Sequence, residues 1–263
     1  MRDFTNKTIM ITGASSGIGE GLAYKLAMSG ANLILMARSG DKLKKLKEKL
    51  EQDYPIICTY YIVDLSNSAS WESCLSKIEA NHLTIDAMIN NAGFGIFDAV
   101  EDADYQDIEK MFHVNVLALI KGIHYFLPHF IKRKQGHIIN IASFAGKIST
   151  PKSSAYSASK HAVLGFSNAL RLEVEKQGVY VTTVNLGPVR TNFFDAADPT
   201  GRYQKSVKRF MIEPEQVVDQ ITKSLFRKKR EINLPRWMEF GSRLYHILPG
   251  FAERILRNQF SKK

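Results

Sequence analysis

Three side chains in the middle of the sequence have the types and spacing for acid–base chemistry at a carbonyl. Tyr156 and Lys160 are four residues apart in a segment patterned as a helix, so they share a helix face at about 6 Å. A free phenol titrates near 10, and an ammonium beside it favours the phenolate. At about 5 Å, with an effective dielectric near 20, that attraction is about 3 kcal/mol. The expectation is a Tyr156 pKa lowered toward the range of a general acid–base catalyst. Ser143 stands upstream, just beyond an apolar run. Its hydroxyl offers a second donor to an oxygen that gains negative charge. Such a group suits reduction of a carbonyl by hydride, which needs a proton donor for the developing alkoxide, or the reverse reaction on an alcohol. Taken alone, a Tyr-x-x-x-Lys pair on a helix is more often structural.

A second constellation lies near the N-terminus. Thr12-Gly13-Ala14-Ser15-Ser16-Gly17-Ile18-Gly19 has the spacing G-x-x-x-G-x-G between an apolar run and a helical pattern. Small residues let the backbone approach a pyrophosphate, and a helix N-terminus offers free N–H groups with partial positive charge. A bare tight turn uses glycines too, but the strand-to-helix position favours the phosphate reading. The next apolar run ends at Met36-Ala37-Arg38-Ser39, with no carboxylate to take a ribose 2′-hydroxyl. Arg38 can instead meet a 2′-phosphate through its planar fork. The expected cofactor is therefore NADP(H), with an incidental surface arginine as the alternative.

These residues need a scaffold, and the pattern supplies one. Apolar runs at 8–12, 32–36, 56–63, 87–90, 137–142, 179–186 and 231–234 alternate with helical patterns at 20–29, 41–53, 69–81, 105–130, 155–177 and 214–226. The long pattern at 105–130 is expected to stop near Pro128. This rhythm predicts an α/β fold: a single-domain, Rossmann-like, doubly wound parallel sheet of about seven strands with helices on both faces. Residues 1–235 form the catalytic domain, and 236–263 form a basic amphipathic helical extension packed on it. Ligands of such sheets bind at the carboxyl ends of the strands, where the strand order switches.

Composition narrows the class. The chain has 263 residues, of which 44% are hydrophobic and 24% charged, which excludes disorder or a coiled coil for the chain as a whole. Cys58 and Cys74 make no disulfide framework and fit a reducing cytoplasm. Met1 to Lys7 lacks an apolar signal segment. No run of about 18 uncharged apolar residues is present, so no membrane-spanning helix is expected. The seven histidines have no metal-ligand spacing, so no metal is expected. No Gly-x-Ser-x-Gly elbow supports a serine hydrolase. Of the net +10, residues 201–263 account for most, with 15 Lys/Arg against 6 Asp/Glu. That asymmetry points to an anionic ligand, an acidic membrane surface or a partner near the C-terminus. The Arg227–Arg230 run reads as a solvated corner rather than a nucleic-acid site.

Taken in order, the motifs resemble the short-chain dehydrogenase/reductase family over about residues 5–235. They are Thr12–Gly19, Asp64-Leu65, Asn90-Asn91-Ala92-Gly93, Asn115, Ser143, Tyr156-Ser157-Ala158-Ser159-Lys160 and Asn185-Leu186-Gly187-Pro188-Val189-Arg190-Thr191. The resemblance implies cofactor contacts from Gly13, Ser15, Ser16, Gly17, Ile18, Gly19, Arg38 and Ser39. It implies that Asp64, with Leu65, meets the adenine amino group, and that Asn91, Ala92 and Gly93 line the adenosine ribose side. Gly187, Pro188, Val189 and Thr191 would hold the nicotinamide carboxamide, with Tyr156 and Lys160 at its ribose. Ser143, Tyr156 and Lys160 would be catalytic, and Asn115 would hold a water that relays protons to Lys160. Leu186 stands where many members have proline. Asn90 has a plainer reading as a tie between strands. The implied assembly is a homodimer or homotetramer.

The substrate side falls to a loop at 192–211 with Phe193, Phe194, Tyr203, Phe210 and Met211, joined by Phe94, Ile96, Phe97 and Phe144 from other strand ends. These suit an apolar substrate body, though some can simply pack the loop onto the sheet. In the extension, Trp237, Phe240, Leu244, Ile247, Phe251 and Ile255 recur at helical steps, flanked by Arg236, Arg243, Arg254, Arg257, Lys262 and Lys263. Pro249 and Gly250 are expected to break it into two short helices. Such a stretch can lie in a membrane interface, cover a sheet edge or meet a neighbouring subunit. The expected function is hydride transfer between NADP(H) and an apolar aldehyde, ketone or secondary alcohol. Two alternatives stay open: a cofactor-binding sensor or scaffold, and a membrane-surface reductase of a lipid carbonyl.

Overall fold

The computed structural model describes residues 2–82, 84–198, 200–251 and 253–254. Seven parallel strands form one sheet: β1 (Thr8–Thr12), β2 (Asn32–Ala37), β3 (Cys58–Ile62), β4 (Ala87–Asn90), β5 (Gly136–Ile141), β6 (Val179–Leu186) and β7 (Glu231–Leu234). Their order across the sheet is β3-β2-β1-β4-β5-β6-β7. The order reverses between β1 and β4, which pair through Ile9–Ala87 and Ile11–Ile89. A ligand crevice therefore opens beyond the carboxyl ends of those two strands.

Both faces of the sheet are covered. Helices α1 (Gly17–Ala27), α2 (Gly40–Asp53), α3 (Ser68–Asn81), α4 (Tyr105–Phe112), α5 (Ala118–Arg133) and α6 (Ser154–Glu173) alternate with the strands. Two short helices, α7 (Phe193–Ala197) and α8 (Arg202–Val207), follow β6, and α9 (Pro214–Ser224) precedes β7. The extension begins as α10 (Arg236–Ile247). Strand residues alternate between two cores: Ile9, Ile11, Leu33, Leu35 and Ile89 on one face, Met10, Ile34, Met36, Met88 and Ile138 on the other. Burial on both faces is why these strands read as unbroken apolar runs.

The long helical stretch departs from expectation at Pro128. It continues through Pro128 to Arg133 and ends at Lys134, which takes a left-handed backbone. A mid-helix proline orphans one carbonyl, here that of His124, but His124 and Pro128 both face solvent. Buried Phe126 and Phe130 on the opposite side keep the last turns packed. By length and hydropathy, Tyr105–Arg133 also qualifies to cross a membrane, against the expectation that no segment does. Its apolar side packs into the core on the sheet through Ile123, Phe126 and Phe130, so core packing accounts for its hydropathy. Between α4 and α5 the chain makes one wide π-helical turn, His113–Leu117.

Helix α10 packs against β7 and ends at Leu248, with helical backbone resuming at Pro249. The expected break is present one residue before the Pro-Gly pair, and the proline opens the second piece. Ile255, Arg257, Lys262 and Lys263 lie outside the described residues.

Candidate active site

The glycine turn is braced from β4. Asn91 donates its side-chain N–H to the Thr12 and Gly13 carbonyls at 3.0 and 3.1 Å. The Thr12 hydroxyl accepts from the Asn91 and Ala92 N–H groups, each at 3.0 Å. Two glycines have positional reasons. A Cβ on Gly19 would sit 2.2 Å from the Gly13 carbonyl oxygen. Gly13 has φ +66°, and a Cβ there would sit 2.9 Å from the Ala92 Cα. The turn is thus closed to side chains from inside and delivers the first N–H groups of α1 to the cleft. Ser16, the residue capping α1, makes no side-chain cap bond to them. Free N–H groups at a helix N-terminus, reached over bare backbone, are a cradle for a phosphate.

A cleft of about 940 Å³ runs along the switch point. Every anticipated catalytic or cofactor-contacting residue lines it except Gly19 and Asn115. At its outer end are Arg38, Ser39, Asp64 and Leu65. Burial alone would raise the Asp64 carboxyl, but it is held lower by bonds from the Ser66 N–H and hydroxyl and by the charges of Arg38 and Lys110. Gly187, Pro188, Val189 and Thr191 form the opposite wall, where a Cβ on Gly187 would meet Met238. The residues present therefore fit a dinucleotide laid across the carboxyl ends of β1, β2 and β4.

The catalytic candidates converge at the inner end. Tyr156 and Ser143 line the cleft side by side, close enough for the Ser143 hydroxyl to act on the phenol. The Ser143 hydroxyl also donates to the Leu186 carbonyl at 3.3 Å and accepts from the Ala145 N–H at 3.0 Å. Lys160 Nζ lies 5.8 Å from the Tyr156 ring centre and donates to the Ile141 carbonyl at 3.1 Å. The expected lowering of the Tyr156 pKa is reversed. Burial raises it, and the Ser143 hydroxyl offsets only part of that. Burial also lowers Lys160 from 10.5 to about 8. Attraction to the ammonium leaves out desolvation: both groups are buried, and burial disfavours the charged form of each. The phenol is consequently a protonated donor at neutral pH.

Asn115 sits inside the π-helical turn, next to but not lining the cleft. Its amide makes a two-bond clamp on Phe94, accepting from its N–H at 3.0 Å and donating to its carbonyl at 2.9 Å. It also donates to Ser159 at 3.1 Å. The wide turn aims this side chain at the loop after β4 and at α6 together. Its side chain thus positions the loop beside Lys160 and is committed to that bracing. Asn90 acts as the strand tie, bonding Asn140, which in turn bonds Ser167 of α6.

Comparison with known proteins agrees with this geometry. The family model described as short chain dehydrogenase matches residues 7–201. The chain belongs to the short-chain dehydrogenase family. A dehydrogenase/reductase SDR family protein 7-like of Anopheles gambiae is 31% identical, over 99% of this chain and 85% of that one. A fatty acyl-CoA reductase of Acinetobacter baylyi is 34% identical, over 86% of this chain and 75% of that one. A short-chain dehydrogenase from Sphingobium yanoikuyae, solved in complex with NADPH, superposes with a TM-score of 0.81. It is 27% identical, over 92% of this chain and 95% of that one. The protein is accordingly a nucleotide-binding oxidoreductase of this family.

Beyond Tyr156, the short-chain dehydrogenase cleft is walled by aromatics. Phe97 is their hub, with ring centres at 5.7 Å to Tyr156, 6.4 Å to Phe193, 6.5 Å to Phe194 and 5.2 Å to Tyr203. The 192–211 loop is pinched at its base, where Ile212 N–H donates to the Pro188 carbonyl and Arg190 N–H to the Ile212 carbonyl. Phe94, Phe144 and Phe210 also line the cleft, whereas Ile96 and Met211 do not. Three groups of lining residues carry no site signal in the sequence: Ile148, Thr150 and Ser153 after Ser143, Lys42 and Lys110 near Arg38, and Trp237, Met238 and Gly241 of α10. Only Trp237 left a signal, as part of the amphipathic stripe, and periodicity does not say what a stripe faces.

Proposed function

We propose that this chain is an NADP(H)-dependent reductase of aldehydes or ketones with an apolar body, able to act in reverse on the matching secondary alcohols. One observation carries the reading: Tyr156 and Ser143 line the cleft together, where its glycine-lined end meets the aromatic wall. Arg38, with no carboxylate at the end of β2, supports the phosphorylated cofactor. The solved Sphingobium relative carries NADPH, and the Acinetobacter relative bears the name of a reductase of fatty acyl groups.

The glycine turn, Arg38 and Gly187–Thr191 would hold the dinucleotide, which supplies the hydride when bound. The chain's own residues do the rest. Ser143 and Tyr156 orient the carbonyl oxygen, and Tyr156 releases its proton to that oxygen as negative charge gathers there. Burial keeps the phenol protonated beforehand, which suits the reducing direction. Lys160, poised near pH 8, is placed to share the charge left on the phenolate and to restore its proton. Phe97, Phe193 and Phe194 exclude water and receive the apolar body. Exposed Tyr105, Leu117 and Leu172 on the long helices support a homodimer or homotetramer, and a cytoplasmic site with peripheral membrane contact accompanies this reading.

The test is NADPH consumption against a panel of aldehydes, ketones and acyl-chain carbonyls, with NADH in parallel. Turnover that rises with chain length, prefers NADPH and falls by at least about a hundredfold in Tyr156→Phe is the expected result. Tight NADPH binding with no turnover across the panel would overturn it in favour of a sensor.

A further inference from the structure

Helix α10 is amphipathic the wrong way round for a helix that merely covers a sheet. Its inward side carries Glu239, Ser242 and Met238. Ser242 is 2% exposed, whereas Phe240 is 76%, Ile247 73% and Trp237 59% exposed. At 100° per residue, Trp237, Phe240, Leu244 and Ile247 fall on one side of the helix, with Arg236 and Arg243 along its edge. The helix is held in this orientation by charge. Lys147, four residues after Ser143, bonds Glu239 at 2.6 Å and Glu231 at 2.7 Å. All three are less than a quarter exposed.

The apolar face is continuous with the mouth of the cleft. Trp237 lines the cleft and packs on Phe210 at 5.7 Å. The Arg209 guanidinium lies over the Phe210 ring at 4.5 Å. Aromatics, aliphatics and arginines thus rim the opening together, in the part of the chain where 15 Lys/Arg face 6 Asp/Glu. Aromatic and aliphatic side chains rimmed by arginine are complementary to a lipid interface with anionic headgroups. Rim arginines in excess oppose each other across a contact between two copies of this face, which argues against self-association there.

We infer that the outward face of α10 and the Phe210 rim dock on an anionic bilayer surface, so that apolar substrates enter the cleft directly from the lipid. The entry half rests on the reductase reading above; the docking half does not, so it is tested without turnover. The protein is floated with vesicles of phosphatidylcholine alone, or containing about one-third phosphatidylserine. The chain has two tryptophans, and Trp71 is already buried, so Trp237 emission reports insertion. The expected result is flotation with the anionic vesicles, weakening as salt rises, with a blue shift and quenching by brominated acyl chains. Phe240→Ser with Ile247→Ser should lower vesicle partition by at least about tenfold, and Arg236→Glu by about fivefold or more. Reduction of a short water-soluble carbonyl should be unchanged in these variants, which shows that they fold. Wild-type protein that stays unbound, or variants that bind as wild type does, would overturn the inference. So would a concentration-dependent dimer abolished by Phe240→Ser and Ile247→Ser, which would assign the face to a second copy.

Discussion

Lys160→Met should stabilise the ligand-free protein while removing its activity. Burial lowers the Lys160 pKa from 10.5 to about 8, a cost of about 3 kcal/mol to the folded state with the ammonium charged. Methionine fills a similar volume with no charge to desolvate. It forfeits the bond to the Ile141 carbonyl, worth about 1–2 kcal/mol with the acceptor left buried. The net expectation at pH 7 is a gain of about 1–2 kcal/mol, or several degrees in Tm for a chain of this size. The sign depends on pH. Below about 8 the lysine is protonated both folded and unfolded, and the whole penalty is present. Between about 8 and 10.5 the unfolded chain binds more protons, so wild-type stability attributable to Lys160 rises with pH. The advantage of Lys160→Met should therefore shrink from pH 7 to pH 10 and reverse near the upper end. Thermal and urea unfolding of both proteins at pH 6.5, 8, 9 and 10 measure it (about four points spanning that titration). A variant less stable at every pH, or a difference that does not change with pH, would refute the reasoning.

Arg38→Ala should raise the NADPH Michaelis constant by about ten- to a hundredfold, the worth of one or two charge-assisted bonds, and leave that for NADH nearly unchanged; steady-state kinetics with both nucleotides decide it. Gly19→Ala forces a Cβ to 2.2 Å from the Gly13 carbonyl, so the turn must open; a loss of at least about 2 kcal/mol in urea melts and no detectable nucleotide binding by calorimetry are expected. Lys147→Met removes the one cation shared by Glu231 and Glu239, leaving them only the largely exposed Arg230 and Arg243 respectively. It should cost about 2–3 kcal/mol at pH 7, with part recovered at pH 4 as the carboxyls protonate; melts at both pH values test it.

Much of the fold was legible because local and global signals agree. Strands buried on both faces read as apolar runs, and turns between them carry glycine, proline or small polar residues. Pro128 misled because local propensity marks a stop, whereas its solvent side and the anchoring of Phe126 and Phe130 decide that the helix continues. The site residues were legible for a different reason. Close backbone approach at Gly13 and Gly19, and the four-residue step from Tyr156 to Lys160, are constraints short enough to be written in consecutive residues.

What the linear order determined by itself is thus the parallel sheet, the glycine turn and the four-residue step that puts Tyr156 and Lys160 on one helix face. Residue type and local spacing suffice for these, because the physics involved acts over one turn of chain. The tertiary structure alone decided the electrostatics and the company these groups keep. Whether Tyr156 titrates below or above an ordinary phenol depends on how deeply the fold buries it, and burial raises it. That Asn115 clamps Phe94 depends on one π-helical turn. That Trp237 rims the cleft mouth on the same outward face as Phe240 depends on Lys147 reaching Glu239, 92 residues away along the chain. Contacts between such distant residues leave no periodicity in the sequence, and only the folded chain brings them within a few ångströms.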